Sequence, residues 1–296
     1  MCNVRRALTF TLTAAMSLGL ASAASADSLV QSAPGARNLA AGGGYLVWAA
    51  PAEAGRWKLV VRAPDGKVTT PAIPTFGALP DPAVGSDRGA IAARRLLTVY
   101  SRCAGTSAVS GCDVFALNVL TGREERVTRL STRAYSETNP QIALGALTAV
   151  RRGGPRPGVY SFGSGVRAAR RLTRFVPAEI AASASRVVTA ERTANGYQIV
   201  LRQRSGDGTP RVLASDVPAR PRSLTITRYR AGWLAGAQAF QTTRFAGSSG
   251  VVFNPAPQQG NRELPASVDS IANNSSIVNW YLDGEGVKLL DPRLFG

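Results

Sequence analysis

Short runs of β-branched and aromatic residues recur along most of this chain, and their spacing constrains the fold more than any other feature. Aligned on the first apolar residue, Tyr45 opens Tyr-Leu-Val-Trp-Ala-Ala and Leu96 opens Leu-Leu-Thr-Val-Tyr-Ser; Leu147, Val187, Trp233 and Ile277 open four more. The intervals are 51, 51, 40, 46 and 44 residues, so six units of roughly 46 residues follow one another. Helical periodicity is nearly absent beyond the N-terminal segment. Short strands repeated at this interval point to an all-β chain, a six-bladed β-propeller.

Each unit carries a second strand after a loop, at residues 57–61, 114–117, 159–162, 197–201, 251–253 and 287–290. A Gly-bearing turn follows in the first five, at Gly66, Gly122, Gly165, Gly208 and Gly260, because tight hairpin turns require the positive φ that Gly supplies. A further strand then closes these units, as at 126–130 and 170–173. The sixth unit runs out at 291–296 with no closing strand, whereas residues 28–32 precede the first unit and have no unit of their own. The N-terminal strand is therefore expected to complete the last blade, which closes the ring and removes an open sheet edge.

The stretch Asp113-Val114-Phe115-Ala116-Leu117-Asn118 leading through Thr121-Gly122 to Arg126-Val127-Thr128-Arg129-Leu130 resembles a blade of the TolB-type propellers. Gly158-Val159-Tyr160-Ser161-Phe162 leading to Arg170-Arg171-Leu172-Thr173 resembles it too, and Pro64-Asp65-Gly66-Lys67 is similar to the turn tetrapeptide of that family. The likeness spans nearly all of residues 28–296 as weak repeats. It implies a six-bladed propeller that binds partners and does not catalyse. The separate N-terminal domain that accompanies the propeller in periplasmic TolB has no counterpart here, so the role of that family in an envelope-spanning complex does not transfer.

Residues 1–26 read as a secretory signal peptide: Arg5 and Arg6, an apolar run from Ala7 to Leu20, and the small-x-small site Ala24-Ser25-Ala26. The apolar run is shorter than the ~20 residues a membrane-spanning helix needs, and no later stretch approaches that length. The expected organisation is a signal peptide (1–26) and one propeller domain (27–296), secreted or periplasmic, with no membrane span in the mature chain. Cys2 leaves with the signal, and Cys103 and Cys112 remain as an even pair, which in an exported chain reads as a disulfide.

The chain has 35 Lys+Arg, 18 Asp+Glu and no His, a net charge of +17. Without His there is no imidazole base, no Ser-His or Cys-His pair and no His metal ligand. No phosphate loop, His-Glu-x-x-His or Gly-x-Ser-x-Gly elbow occurs. Asp81, Asp87 and Glu137, with Asn139, lie in loops entering the expected innermost strands, where they could converge at the channel mouth on a cation or polar ligand. Solvated loop residues and Asx turns are the alternative. Arg outnumbers Lys 32 to 3. Arg151, Arg152, Arg167, Arg170, Arg171, Arg220 and Arg222 are candidate anion-binding residues, since guanidinium groups make bidentate contacts with phosphates and carboxylates. Charge spread round six blades would make no patch. The expectation is an exported, non-catalytic binding or scaffold propeller, monomeric, whose partner is a protein or an anionic envelope polymer. No cofactor, metal site or specific nucleic acid is implied. The alternative is a propeller hydrolase or lyase working through carboxylates and a metal. Three or more carboxylates within reach of one ion would favour the enzyme; a channel lined by Arg, Ser and apolar residues would favour binding.

Overall fold

The computed structural model describes residues 27–86, 95–163, 169–227, 230–235, 239–244, 260–263, 268–273 and 279–289. The expected signal peptide (1–26), the Gly165 turn and the strand expected at 251–253 lie outside these residues. Apart from one short 3-10 turn at Glu53–Gly55, the regular structure of the described residues is all β-strand, in four-stranded antiparallel sheets.

The chain enters with β1 (Ser28–Ser32). Strands β2 (Arg37–Gly42), β3 (Tyr45–Pro51), β4 (Trp57–Arg62) and β5 (Val68–Thr69) then form a sheet in that order. The pattern repeats with β6 (Ala83–Ser86), β7 (Leu96–Cys103), β8 (Cys112–Asn118) and β9 (Glu124–Arg126). Next come β10 (Ser136–Ala143), β11 (Ala146–Arg152), β12 (Gly158–Phe162) and β13 (Arg170–Arg171). They are followed by β14 (Glu179–Ala182), β15 (Arg186–Thr193), β16 (Gly196–Gln203) and β17 (Arg211–Val217). A further sheet holds β18 (Arg222–Ile226), β19 (Arg230–Ala235), β20 (Ala239–Arg244) and β21 (Gly260–Glu263). The last strands, β22 (Ser270–Asn273), β23 (Asn279–Leu282) and β24 (Gly286–Leu289), take β1 as their fourth neighbour.

The first strand of each sheet packs beside the first strand of the next, from β2 through β6, β10, β14, β18 and β22 and back to β2. Apolar clusters fill the spaces between successive sheets. Val47, Leu59 and Phe76 meet Tyr100 and Leu117 across one such space, and Ile199 and Leu213 meet Leu224 and Trp233 across another. Leu39, Trp48 and Val60 meet Leu282 and Val287, so the last sheet is sealed to the first. Sheets arranged face to face about a common axis are a β-propeller, and each interface gains from removing its apolar faces from water.

Each sheet begins one strand earlier than the sequence repeats suggest. The aligned runs are the second strands, and segments read as loops hold the innermost ones: β6 lies within 79–87, and β10 opens at Ser136. These inner strands hold Ala, Gly and Ser more than Val or Ile, and at places their neighbours leave no room for a side chain. A Cβ on Gly42 would sit 2.7 Å from the Val84 carbonyl oxygen, and one on Gly85 would sit 2.4 Å from that of Ile142. In the sheet containing Trp233, the strand after β19 is β20 rather than the expected 251–253. Ala239-Phe240-Gln241-Thr242-Thr243-Arg244 follows β19 closely enough to form its hairpin partner.

The disulfide joins Cys103 to Cys112, a directly opposed pair across the β7–β8 hairpin. The expected pairing of residues 28–32 with the end of the chain is also present. β1 runs antiparallel to β24, with Ser28 opposite Leu289 and Ser32 opposite Gly286. Gly286 sits where a Cβ would lie 2.0 Å from the Gln31 carbonyl oxygen. Gly286→Ala is therefore expected to push β1 off the last sheet and lower the unfolding free energy by about 2 kcal/mol or more. Urea denaturation checks this; an unchanged midpoint would show that the β1–β24 ladder adds little to stability.

Candidate functional site

The innermost strands start at one end of the ring with polar residues and continue into its wall as small apolar ones. Three of them begin with a bulge: register shifts fall between Arg37 and Ala40, between Thr138 and Gln141, and between Arg222 and Thr225. At these shifts Asn38, Asn139 and Ser223 adopt φ values of 52°, 48° and 50°, a left-handed conformation that Asn tolerates better than most residues. The bulge aims the backbone N–H across the gap to the neighbouring sheet. Asn38 N–H donates to Asp269 Oδ2 at 2.8 Å, and Asn139 N–H donates to Asp81 Oδ2 at 2.5 Å. Asp81 also accepts the Ser101 N–H at 2.9 Å. The carboxylates thus stitch one sheet to the next.

Asn139 reaches a second carboxylate as well, since its Nδ2 donates to Glu179 Oε1 at 2.8 Å. One asparagine therefore holds Asp81 and Glu179 side by side at the mouth. Two arginines flank them. Arg152 Nε donates to Thr138 Oγ1 at 3.0 Å, and Arg220 Nη2 donates to the Ala178 carbonyl at 3.1 Å. Arg37 forms an ion pair with Asp269. Behind this mouth lies a central cavity of about 1320 Å³. Among the described residues its lining holds six arginines, Arg37, Arg95, Arg152, Arg186, Arg220 and Arg222, against the three carboxylates Asp81, Glu179 and Asp269.

Burial, and then the Asp81 charge, push Glu179 up to about 7, while Arg220 and Arg152 pull the other way. Burial also raises Asp81 above the ordinary carboxylate range, against the hydrogen bonds from Ser101 and Asn139 that lower it. Arg152 is shifted down by burial and by the nearby Arg220, with Glu179 and Asp81 partly offsetting both. Near neutral pH a fraction of the acid in this cluster is uncharged, and the lining carries a net positive charge. Among the described residues no group of three or more His, Cys, Asp or Glu side chains comes together to hold a metal.

Of the sequence candidates for the mouth, Asp81 and Asn139 come together there. Asp87 lies outside the described residues. Glu137 is a correction, for it does not line the cavity. It is fully buried in the body of its sheet, 3.3 Å from Arg151 Nε, and accepts hydrogen bonds from Thr132 N–H and Oγ1. Residues two apart on a strand normally share a face; the bulge after Thr138 breaks that parity and turns Asn139 alone into the channel. Glu137 Oε2 has no hydrogen-bond partner among the described residues, and burial pushes this carboxyl up to about 7 as well.

The arginine candidates do not form one group. Arg152, Arg220 and Arg222 line the cavity. Arg151 is buried, stacked 4.4 Å over the Tyr160 ring, and donates to the Leu130 carbonyl. Arg170 is paired on the surface with Asp207 at 2.8 Å. Arg171 is spent on the carbonyls of Pro157, Thr173 and Arg174. Arg167 lies outside the described residues. Sequence reasoning missed Arg95 and Arg186 of the lining, and at the mouth it missed Glu179, Asp269 and Arg37. Their signal was a polar residue just ahead of a small apolar run, as in Glu179-Ile180-Ala181-Ala182 and Asp269-Ser270-Ile271-Ala272.

No family model matches this sequence, and no curated protein does. Solved structures do. The SapL1 lectin, determined in complex with α-methyl fucoside, superimposes with a TM-score of 0.54 at 9% identity, over 88% of this chain and 95% of that one. A chain of the nidogen/laminin complex gives 0.51 at 12% identity over 84% of each. TolB from Acinetobacter baumannii gives 0.45 at 12% identity, over 86% of this chain and about half (54%) of TolB. The chain is a β-propeller by fold. At these identities the likeness extends to architecture alone.

Glu137 and Glu179 set an expected pH dependence. Both sit near 7 in the fold against an ordinary value of 4.5, so the fold prefers them protonated. Their contribution is fully present below about pH 4.5 and is lost as pH rises towards 7. Glu179→Gln should flatten this decline, read from urea midpoints at pH 5 and pH 7. A variant whose midpoint falls as much as the wild type would show that Glu179 ionises freely.

Proposed function

We propose that this chain is an exported, six-bladed binding propeller that takes an anionic partner, a segment of protein or an envelope polymer, at the mouth of its central cavity. The excess of arginine over carboxylate in the cavity lining carries this reading. Arginines from different sheets line one concave space, where the field of each is screened less than on a flat surface. Arg220 is close enough to disfavour the charge on Arg152, a repulsion that a bound anion would relieve.

The six-bladed count is supported by the unbroken circuit of inner strands from β2 to β22 and back, with β1 as the outer strand of the last blade. Export is supported by the N-terminal sequence and by the Cys103–Cys112 disulfide, a bond that persists in oxidising compartments. Among the described residues no helix is long and apolar enough to cross a membrane.

Binding of the purified protein to poly-glutamate and to polyphosphate, measured across a salt series, tests the proposal. Affinity should fall steeply as salt rises. Arg220→Ala is exposed and should leave folding intact while weakening binding about tenfold, the scale of one lost charge-assisted contact. Binding that ignores both salt and Arg220 would overturn the reading.

A further inference from the structure

A second basic cleft lies away from the central cavity, on the outer part of the sheet formed by β10–β13. Two loops border it. One joins β11 to β12 and carries Arg156; the other leaves β13 and carries Arg174. Arg171 and Tyr160 line the space between them, and among the described residues no carboxylate does.

The loops are held at a fixed separation. Arg171 Nε donates to the Pro157 carbonyl at 3.1 Å in one loop and to the Thr173 carbonyl at 3.0 Å in the other. Its Nη2 donates to the Arg174 carbonyl at 3.2 Å. Tyr160 Oη donates to the Arg156 carbonyl at 2.7 Å, and Thr173 Oγ1 accepts the Val159 N–H at 3.0 Å. Gly158 lets the two backbones meet, for a Cβ there would lie 2.1 Å from the Thr173 carbonyl oxygen. Arg171 thus serves as the bridge, and the side chains of Arg156 and Arg174 remain exposed, with no ion pair among the described residues.

We propose that this cleft is an oxyanion site for a phosphate monoester, gripped between Arg156 and Arg174. Two unpaired guanidinium groups ask for about two negative charges. A phosphate monoester carries about −1.5 to −2 at neutral pH, whereas a carboxylate or a sulfate ester carries only one. Planar guanidinium forks also match the edges of a phosphoryl group better than a point charge would. The site is independent of the central cavity, so the two readings stand or fall separately.

Calorimetric titration of the full chain with glycerol 3-phosphate, with acetate as the singly charged control, decides the matter. The monoester should bind at least about tenfold more tightly than acetate, and binding should strengthen as pH rises through about 6, where its second proton leaves. Arg156→Ala and Arg174→Ala should each weaken it about tenfold, and the double variant should abolish it, with thermal midpoints unchanged because both side chains are exposed. Arg220→Ala at the central cavity should leave it untouched. Failure to bind the monoester, wild-type affinity in the double variant, or a loss equalled by Arg220→Ala would each overturn the proposal.

Discussion

The inner strands of this propeller run so close together that a side chain does not fit between some of their backbones. Gly42 lies against Val84, and Gly85 against Ile142, at distances a methyl group could not share. Much else follows from that crowding. Where the backbones approach this closely the channel wall must be built of small residues. Bulky apolar side chains are displaced outward into the spaces between sheets, where Trp48, Tyr100 and Trp233 are buried. Charged groups on these strands are confined to places where the strands begin and end, so the chemistry of the cavity is concentrated at its rims.

Carboxylates carry much of the order at that rim. Asp81 and Asp269 accept backbone N–H groups presented by left-handed residues of the adjacent sheet, and each such contact fixes how two sheets meet. A buried carboxylate is costly unless its oxygens are satisfied. Asp81 meets this through three donors, whereas Glu179 has the Asn139 side chain and sits beside another acid. The same arrangement that stitches sheets therefore leaves one acid poised to exchange a proton near neutrality, beside two arginines.

The many arginines divide by role. Arg204 is buried between two sheets and donates to Ser161 Oγ, Ser183 O, Ala146 O and Thr148 Oγ1, all neutral acceptors, which ties β11 and β12 to the β14–β15 turn. Burial lowers it to about 10, yet its hydrogen bonds are made, so it acts as a multi-pronged pin. Arg102 lies over the rings of Phe76 and Phe115, and Arg151 over Tyr160. A planar fork that both stacks and donates explains why arginine rather than lysine fills such places. Charge count alone overstates the basic surface, since Arg151, Arg186 and Arg204 are buried.

The repeat interval, the disulfide and the strand that joins the two ends of the chain were legible in the sequence, because each rests on local pattern: β-branched runs, an even Cys pair, a unit short of one strand. The inner strands were not, because Ala-Val-Gly-Ser and Glu-Ile-Ala-Ala carry no β-branched alternation to mark them. Asp81 and Asn139 could be placed at the mouth from their position ahead of a repeat, whereas Glu137 could not be excluded, since only the bulge beside it decides which way it faces. By itself the sequence determined an all-β repeat of roughly even units. Which arginines meet, which acids share a donor and which charges are buried were decided by tertiary structure, because those contacts join residues of different sheets brought together only when the inner strands pack side by side.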